Sequence, residues 1–192
     1  MKDTRPKARV KITLACDRAC PYCINKCRDY RLRWNRIISV EGSNWKAFRT
    51  IIISGGEPTT DMRLRDIARG LRIFTDGLVP IYLQTNGWGL TKALVKDLDE
   101  SIDGIGLSIH DLDEFRHMLP RWEDIARIKP VRLYVQDTMY DKALAIADPH
   151  AKEQWFKWRV WTDGEFDPDE QIFLLKGWQT TPVLTGGKSE DD

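Results

Sequence analysis

The chain is short of cysteine, of net charge and of long apolar runs, and each shortage narrows what it can be. Its 192 residues hold four cysteines, the last at position 27. So few thiols, all in one segment, do not make the disulfide framework of a small secreted scaffold. No apolar run approaches the ~18–20 residues of a membrane-spanning helix, so no span is predicted. The start, Met1-Lys2-Asp3-Thr4-Arg5-Pro6-Lys7, has no apolar stretch and predicts no secretory leader. No internal repeat is visible. Hydrophobic content of 42% suffices for a sizeable core. The expectation is one globular domain, or one with a small appendage, in the reducing cytoplasm.

Formal net charge is only +1, but it is unevenly spread. Residues 1–50 carry 13 Lys+Arg against 4 Asp+Glu, a balance of +9, and the rest carries 17 against 25, a balance of −8. Arg28, Arg31, Arg33 and Arg36 follow the cysteines directly. Such a patch suits an anionic substrate or partner. It equally suits the balancing of negative charge nearby, or a solvated face.

What is present is concentrated in two motifs. Cys16, Cys20 and Cys23 form a C-x3-C-x2-C spacing with Tyr22 before the third cysteine. Three thiolates can hold three irons of a [4Fe–4S] cluster and leave the fourth open to a small molecule, whereas an electron-transfer cluster normally takes four. Cys27 supplies a fourth thiol, so a four-cysteine zinc site remains open by count, although structural zinc sites commonly use two separated pairs. The second motif is Ile51-Ile52-Ile53-Ser54-Gly55-Gly56-Glu57-Pro58. The isoleucine run predicts a buried strand. The glycines would permit positive φ and close approach of a ligand. Glu57 would then stand at the strand end, able to accept from an ammonium group.

These two motifs, in this order, resemble the signature of the radical SAM enzymes. The resemblance implies a [4Fe–4S] cluster on Cys16, Cys20 and Cys23. It implies that S-adenosylmethionine (SAM) chelates the open iron and is cleaved by one electron to methionine and a 5′-deoxyadenosyl radical. It implies that Gly55, Gly56 and Glu57 receive the SAM amino group, that Tyr22 lies along the adenine, and that Ser108 meets the ribose or the carboxylate. The implied fold is an α/β, TIM-like partial (βα)6 barrel, open on one side.

The chain's own pattern agrees with parallel βα units. Strands are predicted at Arg9–Ala15, Phe48–Ile53, Pro80–Thr85, Gly104–Ile109 and Val131–Gln136, with a sixth at Trp158–Thr162. Helices are predicted at Met62–Phe74, with Asp61 as cap, at Leu90–Leu98 and at Trp122–Ile128. Cys16, Glu57, Asn86, Ser108, His110 and Gln136 then fall at strand ends, where parallel barrels gather ligands. Asn86 is a candidate for SAM or substrate, or a turn residue. Gln136 is a candidate SAM contact, and the Gly-x-Ile-x-Gly-x-x-Glu segment often used for adenine is not seen near it. His110 is a candidate proton shuttle, or a neutral structural histidine. Cys27 is a candidate hydrogen donor, or an inert thiol.

Residues 1–150 form the predicted core domain, and 151–192 a C-terminal extension that completes or covers the barrel, with a mobile acidic tail at 186–192. Trp155 and Trp158 fit a helix face, while Trp158 and Trp161 fit a strand, and the two readings conflict. The absence of cysteine after position 27 excludes the auxiliary clusters of many peptide-modifying relatives. Implied partners are SAM, an external electron donor such as flavodoxin or ferredoxin, a substrate of unknown and anionic kind, or a partner protein. Compact relatives include glycyl-radical activases of the anaerobic ribonucleotide reductase type and small deazapurine synthases. Cys23-Ile24-Asn25-Lys26 departs from the Cys-Asp-Thr of the latter. The reading from another class is a non-catalytic iron–sulfur or zinc module, against which the intact Gly55-Gly56-Glu57 counts.

Overall fold

The computed structural model describes residues 3–147, 156–161 and 167–175. Among the described residues eight strands and five α-helices follow one another: β1 (Lys7–Thr13), α1 (Arg28–Leu32), β2 (Trp34–Ile38), β3 (Thr50–Gly55), α2 (Leu64–Phe74), β4 (Ile81–Thr85), α3 (Lys92–Asp97), β5 (Gly104–Ile109), α4 (Leu112–Ala126), β6 (Val131–Gln136), α5 (Tyr140–Ala147), β7 (Phe156–Trp161) and β8 (Glu170–Leu175). The strands form one sheet in the order β2-β8-β1-β3-β4-β5-β6-β7. Every pairing in it is parallel. This is a partial, TIM-like barrel whose edges, β2 and β7, stay apart.

Alternation along the strands sorts the two faces. Val10, Ile12, Ile51, Ile53, Leu83, Leu107 and Leu133 are buried on the outer face, in the core beneath the helices. The inner face carries Arg9, Lys11, Ser54, Gln84, Ser108, Tyr134 and Gln136 instead. A polar inner face beside an apolar outer one is what a barrel needs if chemistry is to occupy its inside.

The helices begin where short polar side chains cap them. Thr91 accepts from Leu94 N at 3.1 Å to start α3. Asp111 Oδ1 accepts from Asp113 N and Glu114 N, both at 2.9 Å, to start α4. That cap places the helix start ten residues before the predicted Trp122, and the apolar face of α4 runs through Phe115, Met118, Leu119, Trp122 and Ile125. Helix α2 starts at Leu64 with Arg63 in the cap position, not Asp61. Asp61 accepts from Arg63 N at 2.9 Å just outside the helix.

Two strands and two helices, α1 and α5, lie where none was predicted. Strand β2 occupies part of the arginine-rich run, α5 follows β6, and β8 inserts between β2 and β1. Phe173 of β8 packs on Trp45 and Phe48 at ring-centroid distances of 6.0 and 5.5 Å. The conflict at Trp158 resolves as strand. It pairs with Leu133 and turns its ring onto Phe115 and Tyr140, at 6.2 and 5.8 Å. Trp155, Phe166, Trp178 and the acidic tail lie outside the described residues. Among the described residues no helix is long and apolar enough to cross a membrane.

Candidate functional site

Strand β1 ends at Thr13, whose hydroxyl accepts from Ala15 N at 3.0 Å and turns the chain into the cysteine loop. Cys16, Cys20, Cys23 and Cys27 are all free and partly buried. The loop is fastened across the sheet's C-terminal edge. Asp17 Oδ1 accepts from Asn86 Nδ2 at 2.6 Å, after β4. Arg18 pairs with Glu114 at the start of α4. Tyr22 donates its hydroxyl to the His110 carbonyl at 3.0 Å, after β5. Asn25 donates to the Gly55 carbonyl at 2.9 Å, at the end of β3. Four separate elements therefore hold the three predicted ligands over one mouth.

The Gly-Gly-Glu turn sits directly under that loop. Gly56 N donates to Thr13 O at 2.8 Å, and Glu57 N to Ala15 O at 2.7 Å. A Cβ on Gly55 would stand 2.4 Å from Thr13 O, and one on Gly56 would stand 2.3 Å from Ala15 O. Neither glycine has positive φ. They are small so that the end of β3 can touch the start of the cysteine loop. The positive φ that glycine permits is not used here, and the close approach is by backbone.

Glu57 is 1% exposed. Its Oε1 accepts from Thr59 N at 3.0 Å, Thr59 Oγ1 at 2.7 Å and Thr85 Oγ1 at 2.6 Å. Its Oε2 accepts from Asn86 N at 2.8 Å. Burial pushes this carboxyl's pKa up, and the donated hydrogen bonds work against that rise. Glu57 thus ties the end of β3 to the end of β4 and takes four donors from the protein itself.

The other predicted residues divide into two groups. Asn86 spends its amide on Asp17 and accepts from Trp88 N at 2.9 Å, so it shapes both the turn and the loop. The Tyr22 ring stacks on His110, with centroids 5.9 Å apart and planes 16° apart. His110 Nδ1 lies 3.9 Å from Cys20 Sγ. Burial, aided by the charge of Arg18, pushes His110 down to about 4, so its ring is neutral at ordinary pH. Ser108 and Gln136 face the inside of the barrel, the first within β5 and the second at the last position of β6. Cys27 stands at the N-cap of α1, with no hydrogen bond from its side chain to the helix.

Several residues that matter here were not singled out in the sequence. Thr85, Asp17, Arg18, Asn25 and Glu114 hold the loop and the turn together. Lys11 is the most buried of this set's charged members, at 2% exposure, on the inward side of β1. The signal was available: a lysine at an odd position of a strand whose even positions are Ala8, Val10 and Ile12 must point into the barrel. In the arginine-rich run, Arg28 and Arg31 are exposed. Arg33 donates to the carbonyls of Asp167 and Glu170, at 2.8 and 3.1 Å, and so anchors the start of β8.

The sequence profile described as the radical SAM superfamily matches residues 10–135, more than half of the chain. The chain belongs to the radical SAM superfamily. Among curated proteins it is similar to GTP 3',8-cyclase of Rhodopseudomonas palustris, 28% identical over 130 residues, covering 62% of this chain and 38% of the relative. It is also similar to GTP 3',8-cyclase of Chlorobaculum tepidum, 29% identical over 111 residues, covering 55% and 33%. The radical SAM chain thus spans well under half the length of these relatives. In fold it is similar to Streptococcus suis SuiB, with TM-score 0.58 at 15% identity, covering 86% of this chain and 41% of that one. It is likewise similar to anSMEcpe with bound AdoMet, with TM-score 0.54 at 16% identity, covering 85% and 52%.

Radical SAM enzymes use a [4Fe–4S] cluster and SAM, and these are the cofactors of this family. Among the described residues no three His, Cys, Asp or Glu side chains converge as ligands on a metal ion would. Cys16 Sγ meets Asp17 Oδ1 at 3.9 Å instead, while Cys20 turns to His110. The fit to the cluster lies in the donor set. Three soft, unpaired thiols share one loop at the mouth, which is the chemistry an iron–sulfur cluster takes. Burial pushes the Cys16 thiol up to about 11 and raises that of Cys20, so metal must displace their protons.

Proposed function

We propose that the chain cleaves SAM reductively at a [4Fe–4S] cluster held by Cys16, Cys20 and Cys23, and removes a hydrogen atom from an anionic substrate. The observation that carries this reading is the fastening of three free thiols, through Asp17, Arg18, Tyr22 and Asn25, over the polar inner face of the barrel. Held by Cys16, Cys20 and Cys23, such a cluster would supply the one electron that cleaves SAM to methionine and a 5′-deoxyadenosyl radical. The protein's residues do the rest. The Gly55–Glu57 turn receives the amino end of SAM through its backbone, because the Glu57 carboxylate already accepts four protein donors. Ser108 and Gln136 line the inner face toward the ribose and the substrate. Tyr22 and His110 close the loop's outer side and keep water from that end.

The anionic character of the substrate is supported by the inner face of β6 and β7. Arg132 pairs in register with Lys157, and Tyr134 with Arg159. All three cations are exposed. Among the described residues none of them forms an ion pair, and Arg159 acts on Asp167 only at longer range. Like charges directly opposite each other weaken a sheet. An anion between them would offset that cost. Arg159 shares a row with Ser108, and Arg132 and Lys157 lie one row deeper, ~6.6 Å along the strands. The cyclase relatives carry in their name an anionic nucleotide, GTP, and share only part of their length with this chain. Residues 1–150 would supply the core and 151–192 would complete the sheet, since β7 forms one edge and β8 fills the place between β2 and β1. A cytoplasmic setting and a low-potential donor of the flavodoxin or ferredoxin class fit four free thiols.

The test is anaerobic reconstitution with iron and sulfide, followed by dithionite and SAM. Formation of 5′-deoxyadenosine, lost in Cys20→Ala, is the expected result. A reconstituted cluster that never cleaves SAM would leave the chain a cluster-binding module.

A further inference from the structure

Among the described residues Lys11 forms no ion pair with a carboxylate. It faces the barrel interior from β1, between Arg9 and Thr13, and is 2% exposed. Nζ donates to Asn25 Oδ1 at 2.5 Å. It also stands 4.9 Å from the centroid of the Tyr30 ring and 5.3 Å from that of Trp34. Glu170, the carboxylate next along this face, is held by Arg9 Nε at 2.8 Å. Ser54, the register partner of Lys11 on β3, buries a hydroxyl that has no hydrogen-bond partner among the described residues.

A buried ammonium is normally paired with a carboxylate or loses its proton. Ring faces and one amide oxygen stabilise the cation without cancelling its charge. Burial and then the charge of Arg9 push Lys11 down to about 7, while Cys23 and Glu170 favour its charged form. The missing counter-charge has an evident place. Asn25, the partner of Lys11, lies two residues after Cys23 and donates its other amide group to the Gly55 carbonyl at 2.9 Å. One side chain thus links Lys11, the cysteine loop and the Gly-Gly-Glu strand.

We propose that Lys11 is a positioning residue for the iron–sulfur cluster, fixing the Cys23 arm of the loop through Asn25 and presenting its amino group on the inner face beneath that loop. This rests on the cluster reading above. The charge has a redox consequence. When dithionite gives the cluster one electron, the site gains one negative charge and no bond to the protein forms or breaks. The protonated amine nearby favours the reduced form, because net charge and surrounding hydrogen bonds set cluster potentials.

The experiment compares wild type, Lys11→Met, Lys11→Gln and Lys11→Arg, each reconstituted anaerobically. The midpoint potential is measured without SAM by dithionite titration followed by electron paramagnetic resonance. Iron release to a chelator gives a second readout. Lys11→Met and Lys11→Gln are expected to shift the midpoint to more negative potential and to release iron several-fold faster, with circular dichroism unchanged. Lys11→Arg is expected to restore the potential. If Lys11→Met does not fold, Lys11→Gln against Lys11→Arg decides. Equal midpoints and equal release rates in a folded neutral variant would overturn the proposal while leaving the cluster reading intact. A wild-type chain that takes up no iron would overturn the cluster reading first, and this proposal with it.

Discussion

Asn86 donates its side-chain amide to Asp17 Oδ1 at 2.6 Å, fastening the residue after Cys16 to the end of β4. The acceptor is a carboxylate, so the bond belongs to the stronger, charge-assisted kind. Asn86→Ala keeps the backbone N–H that serves Glu57 and removes only this link and the acceptor of Trp88 N. The expected loss of stability is about 1.5–3 kcal/mol, the range for a hydrogen bond to a charged group. The larger effect is expected locally: reconstituted Asn86→Ala should lose iron to a chelator faster than wild type. Equal rates of loss would remove Asn86 from the loop's anchorage.

Glu57→Gln tests the four-donor arrangement at the end of β3. Glutamine offers one acceptor oxygen where the carboxylate offers two. Either the three donors on Oε1 or Asn86 N on Oε2 would then face an amide NH2. A buried donor left unmatched costs about 1–3 kcal/mol. Thermal unfolding of the metal-free chain should therefore occur at lower temperature in the variant. An unchanged Tm would show that Glu57 contributes to the site and little to the fold.

Gly56→Ala separates the two roles open to the glycines. The added methyl would stand 2.3 Å from Ala15 O and 2.5 Å from Leu14 O, both backbone atoms that cannot swing aside. Overpacking of this kind costs about 1–3 kcal/mol. The metal-free variant should be less stable and should alkylate faster at Cys16, because the strand end is pushed from the cysteine loop. Were Gly56 small only to admit SAM, the metal-free protein would be unaffected.

The pattern of the chain made some of this visible and hid the rest for physical reasons. Gly104–Ile109 and Val131–Gln136 are bounded as observed, because each is a short apolar or alternating run between turn residues. Strand β8 was hidden because its partner, β1, lies more than a hundred and fifty residues earlier, and local pattern carries no trace of such pairing. Strand β2 was hidden by Arg36 within it and by Arg28, Arg31 and Arg33 before it, which made the run look like a surface patch. The cysteines and Gly-Gly-Glu declared themselves by spacing. Their supports did not: Asp17, Thr85 and Glu114 are ordinary polar residues until the fold brings each to its partner.

Metal identity gives a prediction that weighs iron against zinc. Cys27 stands at the N-cap of α1, on the far side of a one-turn helix formed by Ile24–Lys26. Three-thiol ligation leaves it out, whereas a four-cysteine zinc site requires it. Cys27→Ala should therefore retain the iron–sulfur absorption of reconstituted wild type, while Cys16→Ala, Cys20→Ala and Cys23→Ala each abolish it. Zinc alone in anaerobically prepared protein, bound in wild type and lost in Cys27→Ala, would establish the four-cysteine alternative.

The cations of β6 and β7 give the sharpest test of substrate class. Arg132 and Lys157 are register partners on the inner face, and Arg159 lies one row nearer the mouth beside Tyr134. Exposed charges attract an anion through a screened field, so binding should weaken as salt rises and the Debye length falls from ~10 Å at 0.1 M to ~3 Å at 1 M. Inorganic triphosphate is a suitable probe, since it carries the charge without a scaffold. Calorimetric affinity should fall with ionic strength in wild type. It should fall further in Lys157→Glu and Arg159→Glu, which reverse charge at positions the fold leaves exposed. Charge reversal at Arg28 and Arg31 on α1 serves as the contrast. Those side chains are also exposed, on the arginine-rich segment that first suggested an anion. If only the α1 reversals weaken binding, the anion meets the outside of the molecule. If neither pair does, the substrate is not recognised by charge. Weakening confined to Lys157 and Arg159 would place the anion inside the barrel, below the row of Ser108 and within reach of a radical formed at the mouth.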